Sequence, residues 1–174
     1  SANFPQLRLF KVAKSSGGEK KTNVSGSWSN ANGDISKWSA TAFHFGQQLH
    51  EHLKVPVGLI NSSVGGTPIE SWCDHTVLDA QTELKGHIGW LNAQIRKYPK
   101  EKEKLDGLIA KWKKEGSKGE KPKSNLYPPD SPWRPAGLFN HMIAPLIGYT
   151  IKGAIWYQGE SNVNNPSPYA NTFK

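Results

Sequence analysis

Two apolar segments constrain this chain most, because each is rich in strand formers and each ends in a burst of small, hydrogen-bonding residues. Ile151-Lys152-Gly153-Ala154-Ile155-Trp156-Tyr157 runs into Gln158-Gly159-Glu160-Ser161-Asn162. Val55-Pro56-Val57-Gly58-Leu59-Ile60-Asn61 runs into Ser62-Ser63-Val64-Gly65-Gly66-Thr67. Ligands of open α/β sheets bind in the crevice beyond the carboxyl ends of the strands. The pattern therefore predicts two strands that carry site loops. Pro56 is compatible with this reading, since proline is tolerated at the first positions of a strand.

The remaining sequence supplies the elements between them. Leu7-Arg8-Leu9-Phe10-Lys11-Val12 alternates apolar and polar positions and reads as a strand. Residues 13–37, rich in Gly, Ser, Asn and Lys, read as a long irregular excursion anchored by Trp28 and Trp38. Ser39 is an N-cap for a helix to about Leu53, with Phe43, Phe45, Leu49 and Leu53 on its apolar side and Gly46 allowing close packing. From Asp74 to about Lys114 the pattern is helical, with Ile88, Leu91 and Ile95 and then Leu105, Leu108, Ile109 and Trp112 in register. Pro99 is expected to break or kink it into two helices. Residues 116–135 read as a loop, Leu138, Met142 and Leu146 as a short helix, and 166–174 as the start of another. This order predicts an α/β fold with a parallel sheet. Three visible strands are few for 174 residues, so the domain is expected to be incomplete, the interior of a longer chain.

Composition narrows the function classes. Hydrophobic residues make up 36% and the mean hydropathy is -0.62, with no run approaching the roughly 18 apolar residues of a membrane span. No membrane partner is expected, and no basic-then-apolar leader opens the sequence. The single cysteine, Cys73, excludes an internal disulfide. The net charge of +8 raises the question of nucleic acid, but 11 Lys or Arg against 5 Asp or Glu lie between Arg96 and Lys123. An excess confined to one helical stretch and its following linker reads as a solvated face, with no nucleic-acid partner.

Chemistry concentrates at the two strand ends. Gly65-Gly66 precedes a helix start at Thr67-Pro68-Ile69-Glu70, where exposed N–H groups can hold a developing oxyanion; a tight turn needing glycine explains the pair equally. Gln158 can donate toward the same crevice, while Glu160 and Asn162 serve either the site or loop capping. Ser62, Ser63 and Ser161 are nucleophile types, but none sits in a Gly-x-Ser-x-Gly elbow and each would need a base. The six histidines have no catalytic context, and no metal-ligand spacing occurs, so neither metal nor cofactor is expected. The tryptophans, Trp28, Trp38, Trp72, Trp133 and Trp156 among them, can line a sugar site or anchor loops.

Pro56 through Trp72 resembles the middle block of the sialate O-acetylesterase-like branch of the SGNH hydrolases, and Leu138-Phe139-Asn140-His141-Met142-Ile143-Ala144-Pro145-Leu146 with Lys152 through Asn162 resembles its next block. Arg8-Leu9-Phe10 and Ser39 through Gly46 fit the same family, while residues 74–135 are the least diagnostic. The resemblance implies a flavodoxin-like three-layer α/β/α fold, with residues 1–174 as part of an acetylesterase domain and a helical, Lys-rich insertion at about 74–135. It implies serine-dependent removal of acetyl groups from O-acetylated carbohydrates, in a secreted or periplasmic setting. The family's nucleophile lies in a Gly-Gln-Ser-Asn block and its histidine in an Asp-x-x-His block, neither of which occurs in this sequence. By resemblance Gly66, or its neighbour Gly65, matches the backbone oxyanion donor. Gln158 stands for the side-chain donor, and Glu160 orients site loops or the histidine, with Asn162 in support. The chain alone is then expected to be a poor esterase. A non-catalytic carbohydrate-binding or scaffold module is the alternative.

Overall fold

A computed structural model of the chain describes residues 2–164 and 166–173, which divide into two compact units. The first comprises Ser1–Lys14 with Thr22–Gly65, and the second Ser15–Lys21 with Gly66–Lys174.

The first unit is a three-stranded sheet covered by one helix. Strand β1 (Ala2–Val12) is central, flanked by β2 (Gly26–Gly33) and β3 (Val57–Asn61). In β1, Leu7, Leu9 and Val12 are buried and Arg8 and Lys11 exposed, as the alternating sequence requires. The β1–β3 pairing is parallel, Leu9 opposite Leu59, whereas β1–β2 is antiparallel, Phe10 opposite Trp28. The sheet is therefore mixed, which corrects the expectation of a parallel one. It also corrects the irregular reading of residues 13–37, since Gly26–Gly33 is a strand. Gly, Ser and Asn give that segment little strand propensity of its own. It is recruited by the ladder to β1 and by Trp28, whose indole packs on Phe10 with ring centroids 5.5 Å apart. The β1–β2 register shifts between Phe4 and Arg8, where Pro5 has no N–H to donate.

Helix α1 (Ala40–Leu53) starts as the sequence predicts, the Ser39 hydroxyl accepting from the Ala42 N–H at 3.3 Å. Its buried Ala42 and Phe43 pack with Leu7, Leu9, Ala31 and Leu59. Gly46 lets the helix approach the sheet: a Cβ there would lie 2.7 Å from Leu59 Cδ1 and 2.8 Å from Leu7 Cδ1.

The second unit is built of helices and tight turns. Helix α2 (His75–Ala80) is capped by Asp74, and helix α3 (Lys85–Lys114) is a single 30-residue element. Pro99 does not divide it, contrary to expectation. The proline ring lies on the exposed side, where water can serve the carbonyl that loses its helical donor. Leu91 and Ile95 are buried, as is the Leu78, Leu84 and Ala136 cluster with Ile88 against it. The predicted apolar stripe of the distal half is looser, with Leu108 exposed and Leu105, Ile109 and Trp112 half-buried. The basic character of the stretch resides on this solvated helix, with Lys102–Asp106 and Lys111–Glu115 ion pairs. The predicted short helix at 138–146 is a π-helical turn, Phe139–Ile143, continued by a 3-10 turn, Ala144–Leu146. The predicted final helix is α4 (Tyr169–Thr172).

Residues 151–157, predicted as a strand, pair with no strand among the described residues. Ile151, Ile155, Trp156 and Tyr157 are accordingly exposed. Strand formers give a segment its readiness to extend, but a ladder needs a neighbour to supply donors and acceptors.

Ser15–Lys21 is held against the π-helical turn by side chains and backbone together. The Lys21 N–H donates to Asn140 O at 2.9 Å, and Asn140 Nδ2 donates to Gly18 O at 2.7 Å. Ser15 Oγ lies 2.8 Å from His141 Nδ1 and accepts from Lys21 Nζ at 2.9 Å. Burial, and then the nearby positive charges of Lys21 and Arg134, hold the His141 imidazole below its ordinary value of 6.5.

Two outcomes follow from this packing. Gly46→Val is expected to destabilise the protein by about 1–3 kcal/mol, read from the urea midpoint, because the added methyls meet two buried leucines. His141 binds its proton more weakly folded than unfolded, so its stabilising contribution is full above about pH 6.5 and falls as pH drops toward the folded value. Urea midpoints between pH 7 and pH 5 should decline more steeply for the natural chain than for His141→Gln.

Candidate active site

The second unit brings two sequence-distant turns together: the stretch after Gly66 and the stretch after Tyr157. Gly66 has φ +72°, a left-handed conformation that glycine adopts without strain. Among the described residues neither the Gly65 nor the Gly66 N–H makes a hydrogen bond, and both residues are exposed. Beyond Gly66 the chain turns inward through buried Thr67 and Pro68 into a 3-10 turn, Ile69–Ser71. The Thr67 hydroxyl accepts from the Trp72 indole N–H at 2.9 Å, which ties this turn to itself.

Asn162 stitches the two stretches. Its Oδ1 accepts from the Ile69 N–H at 2.9 Å and from Gln158 Nε2 at 2.9 Å. Its Nδ2 donates to Glu70 Oε2 at 3.0 Å. Gln158 Nε2 uses its second hydrogen on Thr67 O, at 3.0 Å. These four bonds fix the orientation of both amides, since every partner of Gln158 Nε2 is an acceptor and Asn162 Nδ2 meets a carboxylate. Among the described residues Gln158 Oε1 is buried without a partner, as is the Ser71 hydroxyl.

Glu70 is only 2% exposed, and among the described residues it has no ion-pair partner. A buried carboxylate demands donors, and Asn162 provides one. Its charge is felt nearby: burial first, and Glu70 second, push the Cys73 thiol up to about 11. Cys73 therefore stays a thiol at neutral pH.

On the far side of Gln158 lies a cavity of about 350 Å³, lined by Gln158, Gly159, Glu160, Asn162, Val163, Pro166 and Tyr169. The Tyr169 hydroxyl donates to Gln158 O at 2.9 Å and accepts from the Trp156 indole N–H at 3.2 Å, holding the backbone that carries the amide. Glu160 is exposed on this wall, and its carboxylate makes no hydrogen bond among the described residues.

Of the residues that the sequence singles out, Gln158 and Asn162 are in direct contact and reach the Thr67–Glu70 turn that follows Gly66. Glu160 shares their cavity without joining the network, and Gly65 closes the first unit. Ser63 is exposed and donates to Asn61 Oδ1 at 3.3 Å; Ser161 is half-buried. Glu70, Thr67 and Tyr169 are the members that sequence reasoning missed. Glu70 was visible only as the fourth residue of a helix start, and its burial depends on a partner 92 positions away. Among the described residues no three His, Cys, Asp or Glu side chains converge as metal ligands, and no helix is long and apolar enough to cross a membrane.

No protein-family model matches the chain. The sialate O-acetylesterase of Rattus norvegicus is 32% identical over 188 residues, covering 99% of this chain and 32% of that protein. Those of Homo sapiens and Mus musculus are 35% and 30% identical, covering 78% and 94% of this chain and 19% and 30% of their own lengths. The crystal structure of a carbohydrate acetylesterase from Xanthomonas citri superimposes with a TM-score of 0.67 at 26% identity, covering 99% of this chain and 30% of that one. The chain thus spans no more than about a third of the curated relatives it matches.

Removal of the stitch should be costly. Asn162→Leu leaves the Ile69 N–H, the Gln158 amide and the Glu70 carboxylate short of partners, and is expected to cost about 1–3 kcal/mol in urea unfolding. Asn162→Asp sets a second carboxylate against Glu70. Two such groups can share one proton, so this variant should regain stability relative to the natural chain as pH falls from 7 to 5.

Proposed function

We propose that the chain, similar to sialate O-acetylesterases over most of its length, contributes the oxyanion-binding part of a serine-dependent carbohydrate O-acetylesterase. The observation that carries this reading is the bonded contact of Gln158 and Asn162 with the turn that begins at Gly66, whose N–H is unspent and whose surroundings are open. A preorganised N–H costs no reorganisation when charge develops on an ester carbonyl oxygen.

In this reading a serine attacks the acetyl carbonyl of an O-acetylated sugar as the histidine takes its hydroxyl proton. The carbonyl π electrons move onto oxygen, and the tetrahedral oxyanion is held by the Gly66 N–H, assisted by Gly65. Collapse breaks the bond to the sugar oxygen, which leaves as the hydroxyl with the proton from the histidine, and water then hydrolyses the acetyl-serine ester to acetate and free serine. The serine and histidine are those of the Gly-Gln-Ser-Asn and Asp-x-x-His blocks of the family, which this sequence does not contain. Gln158 donates to the oxyanion by giving up its bond to Thr67 O, while Asn162 keeps hold of the other amide hydrogen. Glu160, unpaired at the cavity wall, orients the site loops or the histidine. The fold this requires is the three-layer, flavodoxin-like arrangement, with residues 151–157 as a strand of its sheet and residues 74–135 as a helical insertion.

Acetate release from an activated acetyl ester by the full-length protein tests this. Gln158→Ala should lower kcat about 100- to 1,000-fold with KM little changed, the signature of a donor used only in the transition state. A loss confined to KM, or none, removes Gln158 from the oxyanion site. A full-length protein that releases no acetate yet binds acetylated sugar would be a non-catalytic carbohydrate-binding module.

A further inference from the structure

Four ring-bearing side chains of the second unit gather at one place. His87 and Trp90 lie one turn apart near the start of α3, their rings stacked at 6.2 Å and 18°. Trp90 meets Tyr127 edge-on at 6.2 Å, and Tyr127 stacks on Trp133 at 6.2 Å and 17°. Trp90 is 51% exposed, and Tyr127 and Trp133 are half-buried.

The polar atoms of these rings are unspent. The indoles of Trp72, Trp112 and Trp156 all donate hydrogen bonds. Among the described residues the indole N–H groups of Trp90 and Trp133 and the Tyr127 hydroxyl have no partner. Flat apolar faces edged by free hydrogen-bonding groups match a pyranose ring, which offers a C–H face and a rim of hydroxyls.

The array is also preorganised. Pro128, Pro129 and Pro132 stiffen the loop between its two ring-bearing residues. The Ser131 N–H donates to Pro128 O at 2.9 Å, its hydroxyl accepts from the Trp133 N–H at 3.2 Å, and its carbonyl accepts from Ser16 Oγ at 2.7 Å. A surface already ordered loses little entropy on binding.

Charge selects the kind of sugar. Lys97 and Lys104 follow Trp90 at heptad spacing, so all three lie along one side of α3, and Lys97 stands about 10 Å along the axis from Trp90. Both lysines are exposed, and neither has an ion-pair partner among the described residues. We propose that Trp90, Tyr127 and Trp133, with Lys97, form a binding platform for a carboxylate-bearing oligosaccharide. One pyranose stacks on the rings, and the carboxylate of a neighbouring residue meets Lys97. This inference rests on the acetylesterase reading in taking the ligand to be a carbohydrate.

Titration of the chain with 3′-sialyllactose by ligand-observed NMR tests it, with lactose as the neutral counterpart. Saturable binding of sialyllactose, at least about fivefold tighter than lactose and weaker in high salt, is expected. Trp90→Ala should weaken it about tenfold, and Lys97→Ala should shrink the preference over lactose. Trp28→Ala, which removes a tryptophan of the first unit that is 49% exposed, should change nothing. Circular dichroism checks that each variant keeps its helices. The proposal is overturned by the absence of saturable binding, by equal binding of lactose, or by a Trp90→Ala variant that titrates like the natural chain. It is equally overturned if single-stranded oligothymidylate binds more tightly at Trp90 than the sugar does, which would make this a nucleic-acid platform. The probe carries no O-acetyl ester, so failure here leaves acetate release intact, and failure of acetate release leaves this binding intact.

Discussion

The Asn162 side chain is the junction on which the site depends. One amide accepts from the Ile69 N–H and the Gln158 amide and donates to the Glu70 carboxylate. It thereby joins two turns separated by about ninety residues and gives a donor to a carboxylate that water cannot reach. Such networks are strong only when their members are satisfied together. The position of Gly66 relative to Gln158 follows from it, because the intervening Thr67 carbonyl is bonded to the same glutamine.

That junction also divides the residues that hold the site from those free to act. Gln158, Asn162 and Glu70 are committed to one another, whereas among the described residues the Gly66 N–H and the Glu160 carboxylate are unspent and exposed. Tyr169 adds a second constraint from the other side by bonding Gln158 O. In the proposed reading the backbone N–H is the ready donor and the glutamine amide exchanges partners to assist. The Cys73 thiol is pushed up to about 11 by its own desolvation and then by the Glu70 charge.

Away from the site, the second unit shows how a loop can be rigid without secondary structure. Asn140 serves Ser15–Lys21 with its backbone carbonyl and side-chain amide, and Ser16 reaches Ser131 in the proline-rich loop. Helix α3 meets this framework through Leu91 and Ile95 and leaves its lysines in water. The result is a fixed aromatic array beside a solvated basic face.

Much of this was legible in the sequence. Period-two alternation located β1, Ser39 and helical spacing located α1, and the block from Pro56 to Trp72 with that from Lys152 to Asn162 identified the family and the two turns that meet. Local chemistry suffices for these, because capping, periodicity and turn formation involve residues a few positions apart. Tertiary structure decided the rest. Gly26–Gly33 is a strand because β1 offers it a ladder, while Ile151–Tyr157, with far better strand formers, finds no such partner among the described residues. Glu70 is buried, and both amide hydrogens of Gln158 are engaged, because hydrogen bonds close across more than ninety residues. Pairing and burial are properties of the neighbours that folding supplies, and no window of sequence contains them.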